Sequence, residues 1–120
     1  MMKSINIFNK LNLINDLWNP RVLTELNGQH IKVSKVIGEF VWHDHKNEDE
    51  LFIILKGTLK MMFRERTEIV KEGEMIMVPK GIEHKPVADE EVWMLLFEPK
   101  NTKHTGDVES ELTIKNYEKI

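Results

Sequence analysis

The chain has 120 residues, 41% hydrophobic and 31% charged, with a formal net charge of −3 and no cysteine. Such a length gives one domain with room for a core, and the composition is that of a globular protein, not a disordered one. Without a basic field or a Lys/Arg run it is not built for nucleic acid or an anionic membrane, and disulfides and thiolate metal sites are excluded.

The opening MMKSINIFNKLNLIND is too polar for a signal peptide, and no apolar run reaches transmembrane length, so the expected location is cytoplasmic. Within Ser4 to Leu17, Ile5, Phe8, Leu11 and Leu13/Ile14 recur at a loose helical spacing, read as a short helical or irregular extension. Asn19-Pro20 ends it. Beyond that point the periodicity shortens to that of strands. Arg21 to Leu26 is followed by the turn Asn27-Gly28, then by Gln29 to Ile37, Gly38, and Glu39 to His45. After the polar bend KNED come Glu50 to Leu55, Thr58 to Phe63 and Glu68 to Lys71, the last two flanking a charged turn at Arg64 to Thr67. Glu74 to Val78 stops at Pro79-Lys80-Gly81, and a last pair, Lys85 to Ala88 and Val92 to Glu98, is joined by an acidic turn at residues 89–91. Many short strands separated by Gly and Pro predict an all-β sandwich or barrel. The expected organisation is a single domain, 1–120, with its barrel core at about 21–98, an extension at 1–20 and a polar tail at 99–120 that wraps the outside.

Chemistry concentrates in Trp42-His43-Asp44-His45 and the residues after it. Residues i and i+2 of a strand share a face, so the two imidazoles should stand in parallel, about 7 Å apart along the strand. Glu50 shares parity with Phe52 and Ile54, and a strand folded back against the histidines would return its carboxylate to them. His84 follows the Pro79/Gly81 corner, which can swing one side chain into a barrel interior.

These residues resemble the two sequence motifs of the cupins, small jelly-roll barrels of the double-stranded β-helix type, and the compact single-domain members most of all. The first motif is Gly, five residues, His-x-His, three or four residues, Glu, six residues, Gly. Here four residues separate Gly38 from His43, four separate His45 from Glu50, and six separate Glu50 from Gly57. The second is Gly, five residues, Pro-x-Gly, two residues, His, three residues, Asn. Gly73, Pro79, Gly81 and His84 fit it, and Ala88 replaces the asparagine. Neither departure falls on a ligand position.

The resemblance implies one divalent cation bound by His43, His45, Glu50 and His84. Three imidazoles and a carboxylate suit Mn, Fe, Co, Ni or Zn and disfavour Ca or Mg, which take all-oxygen shells. An octahedral ion would keep two open positions for a substrate or dioxygen. Phe52, Ile54, Met75, Met77, Trp93 and Leu95 are the candidate pocket lining, apolar enough for a small organic molecule that chelates the metal. Oxygenase-like and isomerase-like chemistry both stay open. An alternative is a sugar or sugar-phosphate isomerase or epimerase, whose phosphate would call on Lys35 or Lys85. Another is a non-catalytic barrel that binds or senses a small ligand. No general base is identifiable: Glu83 should face outward, and Glu39 sits beside Gly38. His30 and His104 read as surface residues, although a loop carrying His104 could fold over the barrel mouth. Trp42, of opposite parity to the histidines, should be covered by the N-terminal segment or by a partner, and with the open edges of the sheet it points to a homodimer.

Overall fold

The computed structural model describes residues 2–106, 108, 110–114 and 116–120. Its elements are one short helix, α1 (Ile7–Leu11), and seven strands: β1 (Arg21–Leu26), β2 (Gln29–Glu39), β3 (Glu50–Lys56), β4 (Leu59–Phe63), β5 (Thr67–Val70), β6 (Met75–Val78) and β7 (His84–Pro99). The fold is the expected antiparallel jelly roll with a short N-terminal helix. That helix is briefer than the periodicity suggested. Asn6 caps its start by accepting from the Asn9 backbone N–H at 2.9 Å.

The largest departure from expectation is β7. The acidic residues 89–91 do not turn the chain, and one strand of 16 residues runs through them. Its first half pairs with β4, from Phe63↔His84 to Lys60↔Val87, and its second half with β3, from Lys56↔Trp93 to Leu51↔Phe97. β2 follows it along nearly its whole length on the other side, with a register shift between Val36 and Gly38. β3 and β4 are thus consecutive along β7, joined at a corner by Gly57. There φ is +87°, and a Cβ would stand 2.8 Å from the Glu91 carbonyl oxygen. Only glycine meets both demands without strain.

Two apolar clusters hold the sheet. Even-numbered residues point into the barrel: Val36 on β2, Phe52 and Ile54 on β3, Val78 on β6, and Val92, Met94 and Leu96 on β7, joined by Phe40 and Trp18. Odd-numbered residues of the same strands face outward, and part of that surface is covered. Leu11 and Ile14 seal Val33, Trp93 and Leu95 into a second cluster. At about 25 cal/mol per Å² of buried apolar surface, each such large side chain contributes roughly 1.5–3 kcal/mol before the entropy of ordering is subtracted.

The tail does not simply wrap the outside. Thr102, His104 and Thr105 are buried, Leu112 packs against the barrel core, and the last residues add a bridge between Val22 and Lys119. Gly106 explains the close approach. Its φ is +61°, and a Cβ there would overlap the Asp44 carbonyl oxygen, so the tail lies directly on the loop between His43 and His45.

Candidate metal centre

His43, His45, Glu50 and His84 come together at one end of the barrel. All four are buried, and each offers a ligand atom within 4.8 Å of the others. They arrive differently from the simplest strand argument. Beyond β2 the chain at 40–45 is not a continuous strand; His43 alone forms an isolated bridge, and its partner is His84. β3 pairs with β6 and β7, not with that segment, so Glu50 reaches the imidazoles from across the barrel instead of from a neighbouring strand. Nor are the His43 and His45 rings parallel. Their centroids are 5.1 Å apart and their planes stand at 84°. Irregular backbone lets both nitrogens converge on one point, which parallel rings on a strand could not do.

Backbone carbonyls fix two of the tautomers. His43 Nδ1 lies 2.9 Å from the Val41 carbonyl and His84 Nδ1 2.8 Å from that of Ile82. A carbonyl can only accept, so both rings carry their proton on Nδ1, and the Nε2 lone pair is free to coordinate. Among the described residues, His45 Nε2, His84 Nε2 and Glu50 Oε1 are buried without a hydrogen-bond partner, although Glu50 Oε1 stands 3.2 Å from His45 Nε2 and 3.6 Å from His84 Nε2. Buried acceptors normally find donors. Three unpaired ones facing a common centre fit a cation, so the four residues could hold a metal ion.

The electrostatics agree. Burial pushes His43 down to about 4, reinforced by the neighbouring His84, so its ring is neutral near pH 7. Burial also disfavours a charge on His45, but the Glu50 carboxylate beside it raises that ring's affinity for a proton. Glu50 itself is held well below the carboxylate range. Burial opposes its charge, and the surrounding Glu98, His45 and His84 outweigh that. Glu98 goes the other way, raised by burial and by the Glu50 charge.

Glu98 was not foreseen, and neither was Lys32. Lys32 Nζ is 2.8 Å from Glu98 Oε1, with both side chains fully buried. The pairing Leu51↔Phe97 places Glu50 opposite Glu98 one step further along. The signal was available: Lys32 and Glu98 share the inward, even-numbered parity of their strands. Lys32 Nζ also sits over the Tyr117 ring, 3.7 Å from its centroid.

A cavity beside the cluster offers about 20 Å³ to a water-sized sphere, room for about one water. Phe52, Met94, Leu96, Phe40 and Trp18 supply its apolar walls, and His43, Glu50 and His104 its polar side. Phe52 lines this cavity, and Ile54 lies in the barrel core. Met75 and Met77 do not reach the site; they are 61% and 52% exposed on the outer face of β6, while Ile76 and Val78 point inward. Trp93 and Leu95 are buried, but on the outer face under α1. The assumed turn at 89–91 would have reset the parity of β7. The strand runs straight through, so Met94 and Leu96 take those places.

His104 is not a surface residue. It is 5% exposed, its ring centroid 5.2 Å from that of Phe40. His30 is partly buried, 3.7 Å from Glu25. Over Trp42 lies the Arg64 guanidinium, 3.8 Å from its ring centroid and paired with the outward Glu83. Lys35 is spent on the Ile14 carbonyl and Lys85 on Glu39.

Residues 29–98 match the family profile of the cupin domain. A cupin-2 domain containing protein from Shewanella frigidimarina NCIMB 400 has a similar structure, with 47% identity and a TM-score of 0.78 over 79% of this chain and 93% of that one. Protein NMB1881 from Neisseria meningitidis is 26% identical, with a TM-score of 0.75 over 81% of this chain and 99% of that one. YdbB from Bacillus subtilis (strain 168) is 34% identical over 64 residues, 52% of this chain and 57% of that protein, so little more than half of that relative is spanned. Both histidine-bearing motifs lie on strands of the matched barrel or on the loops between them, and this chain belongs to the cupin family.

Proposed function

We propose that this cupin holds one divalent transition metal, Mn, Fe, Co, Ni or Zn, on His43, His45, Glu50 and His84, and that it is a metal-dependent enzyme for a small organic molecule binding the metal through oxygen. The observation that carries the reading is the trio of buried polar atoms without a hydrogen-bond partner, His45 Nε2, His84 Nε2 and Glu50 Oε1, converging within a four-residue cluster. A bound ion would act as a Lewis acid toward an oxygen placed on it. Around it the chain's own residues set the conditions. The Val41 and Ile82 carbonyls orient two imidazoles, and Phe52, Met94 and Leu96 keep water scarce.

A polar cleft of about 200 Å³, bordered by His45, Asp44, Glu48, Asn101 and Lys103, opens beside one of the four cluster residues and would give a ligand its approach from solvent. The sugar-phosphate alternative is weaker, because among the described residues no lysine or arginine lines the inner cavity to meet a phosphate. A non-catalytic binding barrel is the remaining rival. Assembly as a cytoplasmic homodimer completes the proposal, supported by edge strand β6, which turns Met75 and Met77 to solvent. No helix among the described residues is long and apolar enough to cross a membrane.

Metal analysis of protein purified without a chelating tag, joined to an oxygen-uptake assay, tests the reading. One equivalent of metal is expected. Iron with oxygen uptake favours an oxygenase, and other metals without uptake an isomerase or a binder. Metal-free protein that takes up none when supplied with it would sink the proposal.

A further inference from the structure

We propose that His104, carried over the barrel mouth by the C-terminal tail, is the ligand-binding residue of the inner cavity, donating its Nε2–H to an anionic atom bound at the metal. The atom would be a hydroxide oxygen, or a carboxylate or enolate oxygen of a chelating substrate. The inference rests on the metal reading above and adds a residue outside the four-residue cluster.

Three observations place the ring. His104 lines the same cavity as His43 and Glu50, and the Glu50 carboxylate is close enough to act on it. It is 5% exposed, and its Nε2 is buried without a hydrogen-bond partner among the described residues, although the Trp18 and Leu112 carbonyls lie nearby. Gly106, two residues on, seats the tail against Asp44, where any side chain would push the tail away.

In the proposed state one ring nitrogen, Nε2, carries the proton. The Tyr117 hydroxyl accepts the His104 backbone N–H at 2.6 Å and stands 3.2 Å from its Nδ1. The hydroxyl keeps a second lone pair, so either partner can supply the hydrogen between them, and the tautomer in which the hydroxyl donates is the one proposed here. A neutral imidazole that accepts at Nδ1 carries its hydrogen on Nε2. Burial holds the ring down to about 4, so it is neutral near pH 7. His43 and His84 have the opposite tautomer, with Nδ1 donating to a carbonyl and Nε2 bare. The cluster therefore presents acceptors suited to a cation, while His104 presents a donor suited to the anion that would sit on it. A buried donor without a partner is uncommon and calls for one.

The test uses cobalt-loaded full-length protein titrated with azide, a small anion whose coordination shifts the cobalt visible bands. Wild type should bind azide, and His104→Leu should bind it about tenfold or more weakly with its cobalt stoichiometry unchanged, since a hydrogen bond to a charged atom has been lost. His104→Gln, which keeps a donor, should recover most of that loss. Gly106→Val leaves all four cluster residues in place but displaces the tail, so it should weaken azide as His104→Leu does. Equal azide affinity in wild type and His104→Leu would overturn the inference. So would a loss in His104→Gln as deep as in the leucine variant, or loss of cobalt from either. Wild type that takes up cobalt but no azide overturns this inference alone; wild type that takes up no cobalt overturns the metal reading with it.

Discussion

His43 and His84 hold each other by their backbones before their side chains do anything. The His43 N–H donates to the His84 carbonyl at 3.0 Å, and the His84 N–H returns the bond to His43 at 2.8 Å. Their rings then stand 4.3 Å apart. A bridge of this kind between a loop and the first residue of β7 locks the first histidine motif to the second. The backbone geometry of the cluster is thus set by main-chain hydrogen bonds, the preorganisation a tight site needs.

Truncating His84 to Ala should therefore abolish stoichiometric metal while leaving the strand signal in circular dichroism, because the barrel core is built from other residues. Glu50→Gln should weaken metal binding less, since the amide oxygen can still coordinate without its charge. Elemental analysis after dialysis against metal decides it. Full occupancy in His84→Ala would remove that residue from the ligand set.

Much of this was legible in the sequence, and the failures share one cause. The strands were found because alternating apolar residues and Gly/Pro breaks are local signals, and Arg21 to Leu26 emerges with its boundaries intact. The four cluster residues were found because motif spacing survives independently of pairing. Facing was harder. Met75 and Met77 alternate with Ile76 and Val78, so parity alone leaves open which pair faces inward, and for Trp93 and Leu95 nothing local says that residues 89–91 continue the strand. The tail was misread for a similar reason. Polar residues such as Thr102 and Thr105 look solvated in isolation, yet Thr105 pairs with Thr113 at 2.8 Å under the cap they jointly build.

Gly57 and Gly28 offer a test of the corner at β3 and β4. Both have positive φ, but Gly28 has nothing within 4 Å of an added Cβ, whereas Gly57 faces the Glu91 carbonyl at 2.8 Å. Gly28→Ala should cost about 1 kcal/mol, the left-handed penalty alone. Gly57→Ala should cost about 1–3 kcal/mol more, because β7 must shift to admit the methyl group. Urea denaturation of the two variants measures the difference directly. Equal losses would mean that the corner relaxes freely.

The buried Lys32–Glu98 pair makes an asymmetric prediction. Removing one partner leaves a buried charge uncompensated, so Lys32→Met should cost about 3 kcal/mol at neutral pH. The cost should shrink as pH falls from neutrality into mild acid, because burial and the Glu50 charge already raise the Glu98 carboxyl and favour its taking up a proton. The sign follows from linkage: a raised carboxyl pKa penalises the fold above its unfolded value and spares it below. Replacing both residues with apolar ones of similar volume should be nearly neutral. Chemical denaturation at neutral and mildly acidic pH checks each statement, and a double variant as unstable as Lys32→Met would refute the account.

Metal should stabilise the fold, and acid should remove that stabilisation. An ion bound only by the native barrel adds RT ln(1 + [M]/Kd), about 2.7 kcal/mol when free metal stands at a hundred times Kd, which for a domain of this size is a melting shift on the order of ten degrees. Coordination needs neutral imidazoles, so protons compete with metal. In the metal-free protein the histidines pull in opposite directions. His43, held down to about 4 from an unfolded value of 6.5, contributes stability that is complete above 6.5 and is lost as pH falls through 4. His45, raised beside Glu50, contributes stability that is complete below 6.5 and is lost as pH rises through its folded value. The two windows do not overlap: below 6.5 the His45 contribution is already complete while that of His43 is being lost. The metal-free melting temperature should thus itself decline through mild acid, and that of the loaded protein should fall more steeply. Melting curves with and without chelator should therefore differ by about ten degrees near neutrality and converge near pH 5. A chelator shift that keeps its full size in mild acid would mean that these histidines do not hold the ion.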